Sequence, residues 1–257
     1  MVNNLAKIIA IANQKGGVGK TTTSVNLSAC LAELNKKVLL VDVDPQGNAT
    51  SGYGLDKSQI EQSIYDVLVA GADIEAVIQS TEFANLSILP ATIELAGAEV
   101  ELVAAISRET KLKRAIDKVK KDYDYVIIDC PPSLGLLTLN SLTAADSVLM
   151  PIQSEFYALE GVSQLMNTIS LVQQNLNPDL ALEGVLLTMF DSRTKLSMQV
   201  AAEVQKHFAE KVYQTVIPRN VRLSEAPSYG QPIIAYDPKS KGAEVYRELA
   251  KEVNKNG

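Results

Sequence analysis

The sequence predicts an α/β fold, one domain over residues 1–257 with a mostly parallel twisted sheet flanked by helices. Two observations carry that prediction. Apolar runs of strand length alternate with segments of helical period along the chain. Several of those runs, KVLLVDV at 37–43 and YVIID at 125–129 among them, are continuously apolar, the pattern of strands covered on both faces. With 257 residues, 46% of them apolar, the chain buries a substantial core, and no repeat or low-complexity stretch interrupts it.

The elements follow in order. A strand at 7–12 (KIIAIA) leads through a glycine-rich turn into a helix at 20–34, and a strand at 37–43 follows. A helix at 64–70 (IYDVLVA), a strand at 86–90 (LSILP) and helices at 93–106 and 111–121 come next. The run at 125–130 is the fourth predicted strand, and 147–152 (SVLMPI) is the fifth. A helix at 158–175, a strand at 183–189 (EGVLLTM), a helix at 196–207, a strand at 212–218 (VYQTVIP) and a helix at 243–253 complete the chain. Strand–helix alternation of this kind implies right-handed crossovers, and ligands of such sheets sit beyond the carboxyl ends of the strands.

Bulk composition excludes several classes. No apolar stretch reaches about 18 residues, so no spanning helix is expected. The opening MVNNLAKIIAIANQ lacks the charged start and long apolar run of a leader, which predicts a soluble, cytoplasmic protein. Cys30 and Cys130 lie a hundred residues apart in apolar surroundings and read as core thiols. The net charge of −6 argues against a generic nucleic-acid binder, but it is uneven. Residues 191–257 carry 11 Lys and Arg against 8 Asp and Glu, whereas residues 1–190 carry 13 against 22. The last quarter can therefore hold a basic face that the total conceals.

Chemistry concentrates after the first strand, in Gln14-Lys15-Gly16-Gly17-Val18-Gly19-Lys20-Thr21-Thr22. A bound phosphate needs unhindered backbone N–H groups in a tight loop, a helix N-terminus, a lysine for its oxygens and a hydroxyl for Mg²⁺. Gly16, Gly17 and Gly19 meet the first need, and Lys20 and Thr21 the last two. The match to G-x-x-x-x-G-K-[ST] is imperfect, because Gln14 stands where glycine is expected and an additional lysine, Lys15, opens the loop. Lys15 lies five residues before Lys20, so the two do not easily reach the same phosphates within one subunit.

The second strand runs out in Asp42-Val43-Asp44-Pro45-Gln46-Gly47, with both carboxylates expected to point the same way. Asp44 is read as functional, orienting water or holding Mg²⁺, and Asp42 as structural. The fourth predicted strand ends at Asp129 before Cys130-Pro131-Pro132, the placement that sets a carboxylate against the shell of a phosphate-bound Mg²⁺. No Asn-Lys-x-Asp follows a later strand, which favours ATP over GTP.

The runs KGGVGKTT, DVDPQGNAT and VIIDCPPSLG resemble the deviant Walker A P-loop ATPases, and within them the chromosomal ParA proteins of Soj type. The likeness extends through ALEGVSQL at 158–165, GVLLTMFDSRT at 184–194, IPRNVRLSEAPSYGQPI at 217–233 and YDPKSKGAEVYRELAKEV at 236–253. It implies a slow ATPase that forms a homodimer with ATP, binds double-stranded DNA without sequence preference, and segregates origin DNA with a ParB-like (Spo0J-type) partner that stimulates hydrolysis. It also implies nucleoid association.

Lys15 resembles the signature lysine that crosses the dimer seam to the partner's phosphates, and Gly16 lies in that cramped seam. The resemblance makes Lys15, Lys20 and Asp44 catalytic and the stretch from Lys15 to Thr22, Val18 included, nucleotide-binding. Thr21, Asp44 and Asp129 would hold Mg²⁺, partly through water. Pro218, Arg219 and Asn220 match the stretch beside the adenine, and Met189 is a further candidate there. Arg193 and Arg222 match DNA-binding positions, with minor help expected from Lys195 and Lys241. Only about six residues precede the first strand, so no N-terminal helix-turn-helix is expected.

The main rival is a MinD-like membrane-associated ATPase, which needs a C-terminal amphipathic helix with a bulky apolar face. Val245, Leu249 and Val253 read instead as an ordinary core-facing stripe, without Phe or Trp. An electron carrier of nitrogenase-reductase type needs paired cysteine ligands, which two distant cysteines do not supply.

Overall fold

The computed structural model describes residues 6–155 and 158–255, so the opening residues read above for a leader lie partly outside the described residues. Seven strands, β1 (Lys7–Ile11), β2 (Val38–Asp42), β3 (Gln79–Ser80), β4 (Leu86–Leu89), β5 (Tyr125–Asp129), β6 (Ser147–Gln153) and β7 (Ala181–Thr188), form one sheet in the order β3-β4-β2-β5-β1-β6-β7. Every pairing is parallel except that of β3 with β4. The main helices are α1 (Lys20–Glu33), α2 (Leu95–Glu101), α3 (Lys111–Val119), α4 (Leu136–Ala144), α5 (Ala158–Asn175), α6 (Lys195–Phe208) and α7 (Lys241–Lys255).

The two-residue period of the strands divides the core. Ile8 and Ala10 of β1, Leu39 and Val41 of β2 and Val126 and Ile128 of β5 face one apolar layer, which α3, α4 and α5 cover. Ile9 and Ile11, Val38 and Leu40, and Tyr125 and Ile127 face the other, covered by α1 and α7. All five positions of β2 and of β5 are buried, which is why those runs show no polar alternation. Each fully buried Leu or Ile contributes about 1.5–3 kcal/mol of transfer free energy. Cys30 and Cys130 are buried free thiols, as expected.

Four sequence expectations need correction or refinement. The run 212–218 is not a strand. It meets the edge of the sheet at isolated bridges, Val185 with Val212 and Phe190 with Pro218, and through the Ile217 amide, which donates to the Leu187 carbonyl at 2.9 Å. Between them the amides of Gln214 and Thr215 donate to the Glu252 carboxylate of α7, at 2.8 and 3.1 Å, and are lost to the ladder. The helix expected at 93–106 is shorter, because α2 ends at Glu101 and a 3₁₀ turn, Leu102–Ala104, follows it. The segment 64–70 is helical as expected, but Asp66–Ala70 winds as a π-helical turn closed by Gly71 at φ 74°. Asp42 ends β2, so Asp44 lies beyond the strand and does not share its alternation.

Helix α4 had no expectation. Seven of its nine residues are buried, so LLTLNSLTA offers no polar face and no amphipathic period to read.

Candidate functional site

Parallel pairing brings the carboxyl ends of three adjacent strands to one place. Ile11 of β1 is in register with Asp129 of β5, and Asp129 with Asp42 of β2. The loop after β1 therefore opens beside both carboxylates. Gly17 and Gly19 hold φ of 74° and 86°, where a side chain is strained, and Gly19 caps α1. Gly16 has no such φ, and a Cβ added there meets nothing within 4 Å. The loop is pinned from the β6–β7 side. Asn13 Nδ2 donates to the Pro151 carbonyl at 2.7 Å, and Thr188 Oγ1 to the Val18 carbonyl at 2.8 Å.

Lys20 is buried, and its Nζ donates to the Lys15 carbonyl at 3.2 Å, across the concavity that the loop amides surround. Burial pushes its ammonium below the usual lysine range, and the neighbouring Asp129 charge partly restores it. The Lys15 ammonium lies outside this cradle, 3.5 Å from Glu155 Oε2.

Asp129 is fully buried. Ser24 Oγ, one turn into α1, donates to its Oδ1 at 2.8 Å. Its Oδ2 has no hydrogen-bond partner among the described residues. Desolvation, and then the charge of Asp42, hold its carboxyl above the usual range, against the opposing pull of the Thr21 and Ser24 hydroxyls. An orphaned carboxylate oxygen beside a lysine and a helix-opening threonine fits a hydrated Mg²⁺, whose water shell would satisfy it.

Asp42 differs. It accepts from Thr50 N and Oγ1, both at 2.8 Å, and from Asp44 N at 3.1 Å. These bonds fasten the loop after β2 to its strand, which fits the structural reading of Asp42, while Asp44 is buried and accepts from the Gln46 amide at 2.9 Å.

A cleft of about 490 Å³ continues from Gly19 and Thr22 towards Met189, Pro218, Arg219 and Asn220. All four residues expected near the base thus lie in one cavity with the phosphate loop. Met189 takes φ 50°, unusual for a side-chain-bearing residue, at the point where the chain leaves β7. Tyr246 of α7 also lines the cleft, and its hydroxyl lies 3.2 Å from Thr23 Oγ1.

The basic candidates are not gathered in this way. Arg193 is held by Asp191 through two bonds of 2.8 and 2.7 Å, Arg222 by Glu225 at 2.9 Å and Asp237 at 3.6 Å, and Lys241 by Glu244 at 3.0 Å. Lys195 is exposed at the start of α6. Sequence reading missed Ser24, Tyr246 and Glu155. Only Glu155 carried a usable signal, since it lies just beyond the carboxyl end of a strand.

A parallel sheet whose first loop wraps a buried lysine, with a free carboxylate oxygen at the next strand end, defines a nucleoside triphosphatase of the P-loop class. Relatives narrow the class. The family model for the AAA domain matches residues 6–182. The chain is 68% identical over 253 residues to the sporulation initiation inhibitor protein Soj of Bacillus subtilis, covering 98% of this chain and all of that protein. It is 56% identical to the chromosome partitioning protein ParA of Myxococcus xanthus, covering 98% and 89% of the two chains. A solved structure described as cobyrinic acid a,c-diamide synthase from Mycobacterium smegmatis, with a bound ATP analog and magnesium, superposes with a TM-score of 0.87. That protein is 44% identical, over 98% of this chain and 96% of its own. The chain belongs to the Soj/ParA family of chromosome-partitioning ATPases.

Proposed function

We propose that this protein is an ATP-driven dimerisation switch that grips DNA without sequence preference as the ATP dimer and segregates chromosomal origins with a ParB-like partner. The observation that carries the reading is the unequal setting of the two loop lysines. Lys20 is enclosed in its own loop, whereas the Lys15 side chain is 35% exposed and lies outside the cradle. Lys20 serves the phosphates of its own subunit, and Lys15 reaches those of a neighbour. The open space at Gly16 supports the same arrangement, because among the described residues nothing lies within 4 Å of a Cβ placed there.

Thr21 and Asp129, with Asp44, would hold Mg²⁺, which when bound neutralises phosphate charge. Asp44 positions the attacking water. The site offers charge and placement but no histidine, so unaided hydrolysis is slow. Pro218, Arg219 and Asn220 flank the base.

Dimer closure would bring Arg193, Arg222, Lys195 and Lys241 of two subunits against one duplex and place the protein on the nucleoid. Doubling the phosphate contacts steepens the salt dependence, by about 0.9 in log–log slope per contact. The membrane-bound alternative is disfavoured, because Val245, Leu249 and Val253 of α7 are buried in the core shared with α1. Among the described residues no helix is long and apolar enough to cross a membrane.

Retention of DNA on a column with ATP tests the reading. Lys15→Ala is expected to lose ATP-dependent retention while still binding nucleotide. Retention equal to that of the unaltered protein would refute the switch.

A further inference from the structure

In the single subunit Lys15 has a partner that the switch does not explain. We propose that Glu155 is a positioning residue for Lys15, a latch that holds the lysine in its own subunit until a neighbour's triphosphate displaces the carboxylate. The inference rests on the dimer reading above and adds its regulation.

Glu155 sits on a tight turn directly after β6, where its amide donates to the Gln153 carbonyl at 2.8 Å. Its Oε2 lies 3.5 Å from Lys15 Nζ. Its Oε1 receives Gln153 Nε2 at 2.5 Å and stands 3.9 Å from an Arg219 guanidinium nitrogen. One carboxylate therefore stands between the extra lysine of the phosphate loop and the arginine on the nucleoside side of the cleft.

The backbone holds both ends of this pair in place. Asn13 accepts from the Lys15 amide at 3.0 Å and donates to Pro151 of β6 at 2.7 Å, so the start of the loop and the end of β6 move as one. The Ser154 amide donates to the Thr188 carbonyl of β7 at 3.2 Å, which fixes the turn that carries Glu155.

The strength of the pair suits a latch. Lys15 and Glu155 side chains are 35% and 47% exposed, so water screens the contact. Such pairs shift an equilibrium about two- to five-fold. A buried bridge would resist exchange, whereas this one yields to a triphosphate, which offers more negative charge than one carboxylate. Two latches open per dimer, so their effects multiply in the dimerisation constant.

Two measurements on Glu155→Gln, which keeps size and removes charge, test the proposal. The first is site-resolved acylation of Lys15 at mild alkaline pH in the nucleotide-free monomer, read by mass spectrometry against Lys20 of the same molecule. The latch predicts Lys15 labelling about two- to five-fold faster in the variant with Lys20 unchanged. Equal Lys15 rates would overturn it, whatever the dimer does.

The second is the dimerisation constant at saturating ATP, with monomer ATP affinity measured separately. The latch predicts dimers about four- to twenty-five-fold tighter in the variant. Dimers no tighter than those of the unaltered protein would also overturn it. If faster labelling is accompanied by no dimer from either protein, the contact stands and the dimer reading fails, which overturns the regulatory role.

Discussion

The phosphate site and the basic surface are built differently. On the phosphate side the groups are buried or half-buried and held by one another: Lys20 by the Lys15 carbonyl, Asp129 by Ser24, and Asp42 by Thr50 and Asp44. On the basic side, Arg193, Arg222 and Lys241 are solvent-exposed and paired with carboxylates close in sequence, Asp191, Glu225 and Glu244. The first is fixed by the fold before any ligand arrives. The second is a set of weak pairs that phosphates can take over. On the proposed function, chemistry that demands precise placement is thus built into the core, and a reversible grip on DNA is left to the surface.

That contrast can be broken at several points. The largest effect is expected from Asp44→Ala, where steady-state ATP turnover should fall by about 10²-fold or more with nucleotide still bound. Turnover within a few-fold of the unaltered protein would place the water-positioning group elsewhere. Next comes Arg193→Ala with Arg222→Ala. The slope of log affinity for DNA against log salt should flatten by about 0.9 for each phosphate contact removed. If each arginine makes one contact per subunit, the change is summed over both subunits of the dimer. An unchanged slope would remove these residues from the interface.

The smallest effect concerns the fold beside the cleft. Glu252→Ala strands the Gln214 and Thr215 amides that its carboxylate receives. Denaturant unfolding should show a loss of about 0.5–1.5 kcal/mol, with ATP turnover little changed. A loss well below that would mean water replaces the carboxylate without penalty.

The phosphate site was legible in the sequence because its chemistry needs fixed residue types at fixed spacing. Gly17 and Gly19 need left-handed backbone, Lys20 and Thr21 open the helix, and Asp129 ends an apolar strand. The strands buried on both faces were legible for the same kind of reason.

What escaped depends on distant partners. The run 212–218 has the composition of a strand, but a carboxylate 37 residues away takes the amides it would need for pairing. Helix α4 is buried nearly all round, so its period left no trace. Asp42 and Asp44 read in the sequence as sharing one face of the strand, but β2 ends at Asp42 and Thr50 claims its carboxylate. Glu155 belongs to no motif, and only the register of β6 beside β1 brings it to Lys15.

The proposed switch turns on two subunits closing around nucleotide, which particle mass measured by light scattering after size exclusion reports. The unaltered protein should run as a monomer with ADP and as a dimer with ATP. Gly16→Val, where a single chain has room for the side chain, should bind ATP with normal thermal stability and stay monomeric. Monomers of the unaltered protein at saturating ATP, or ATP dimers of Gly16→Val as firm as its own, would contradict the account.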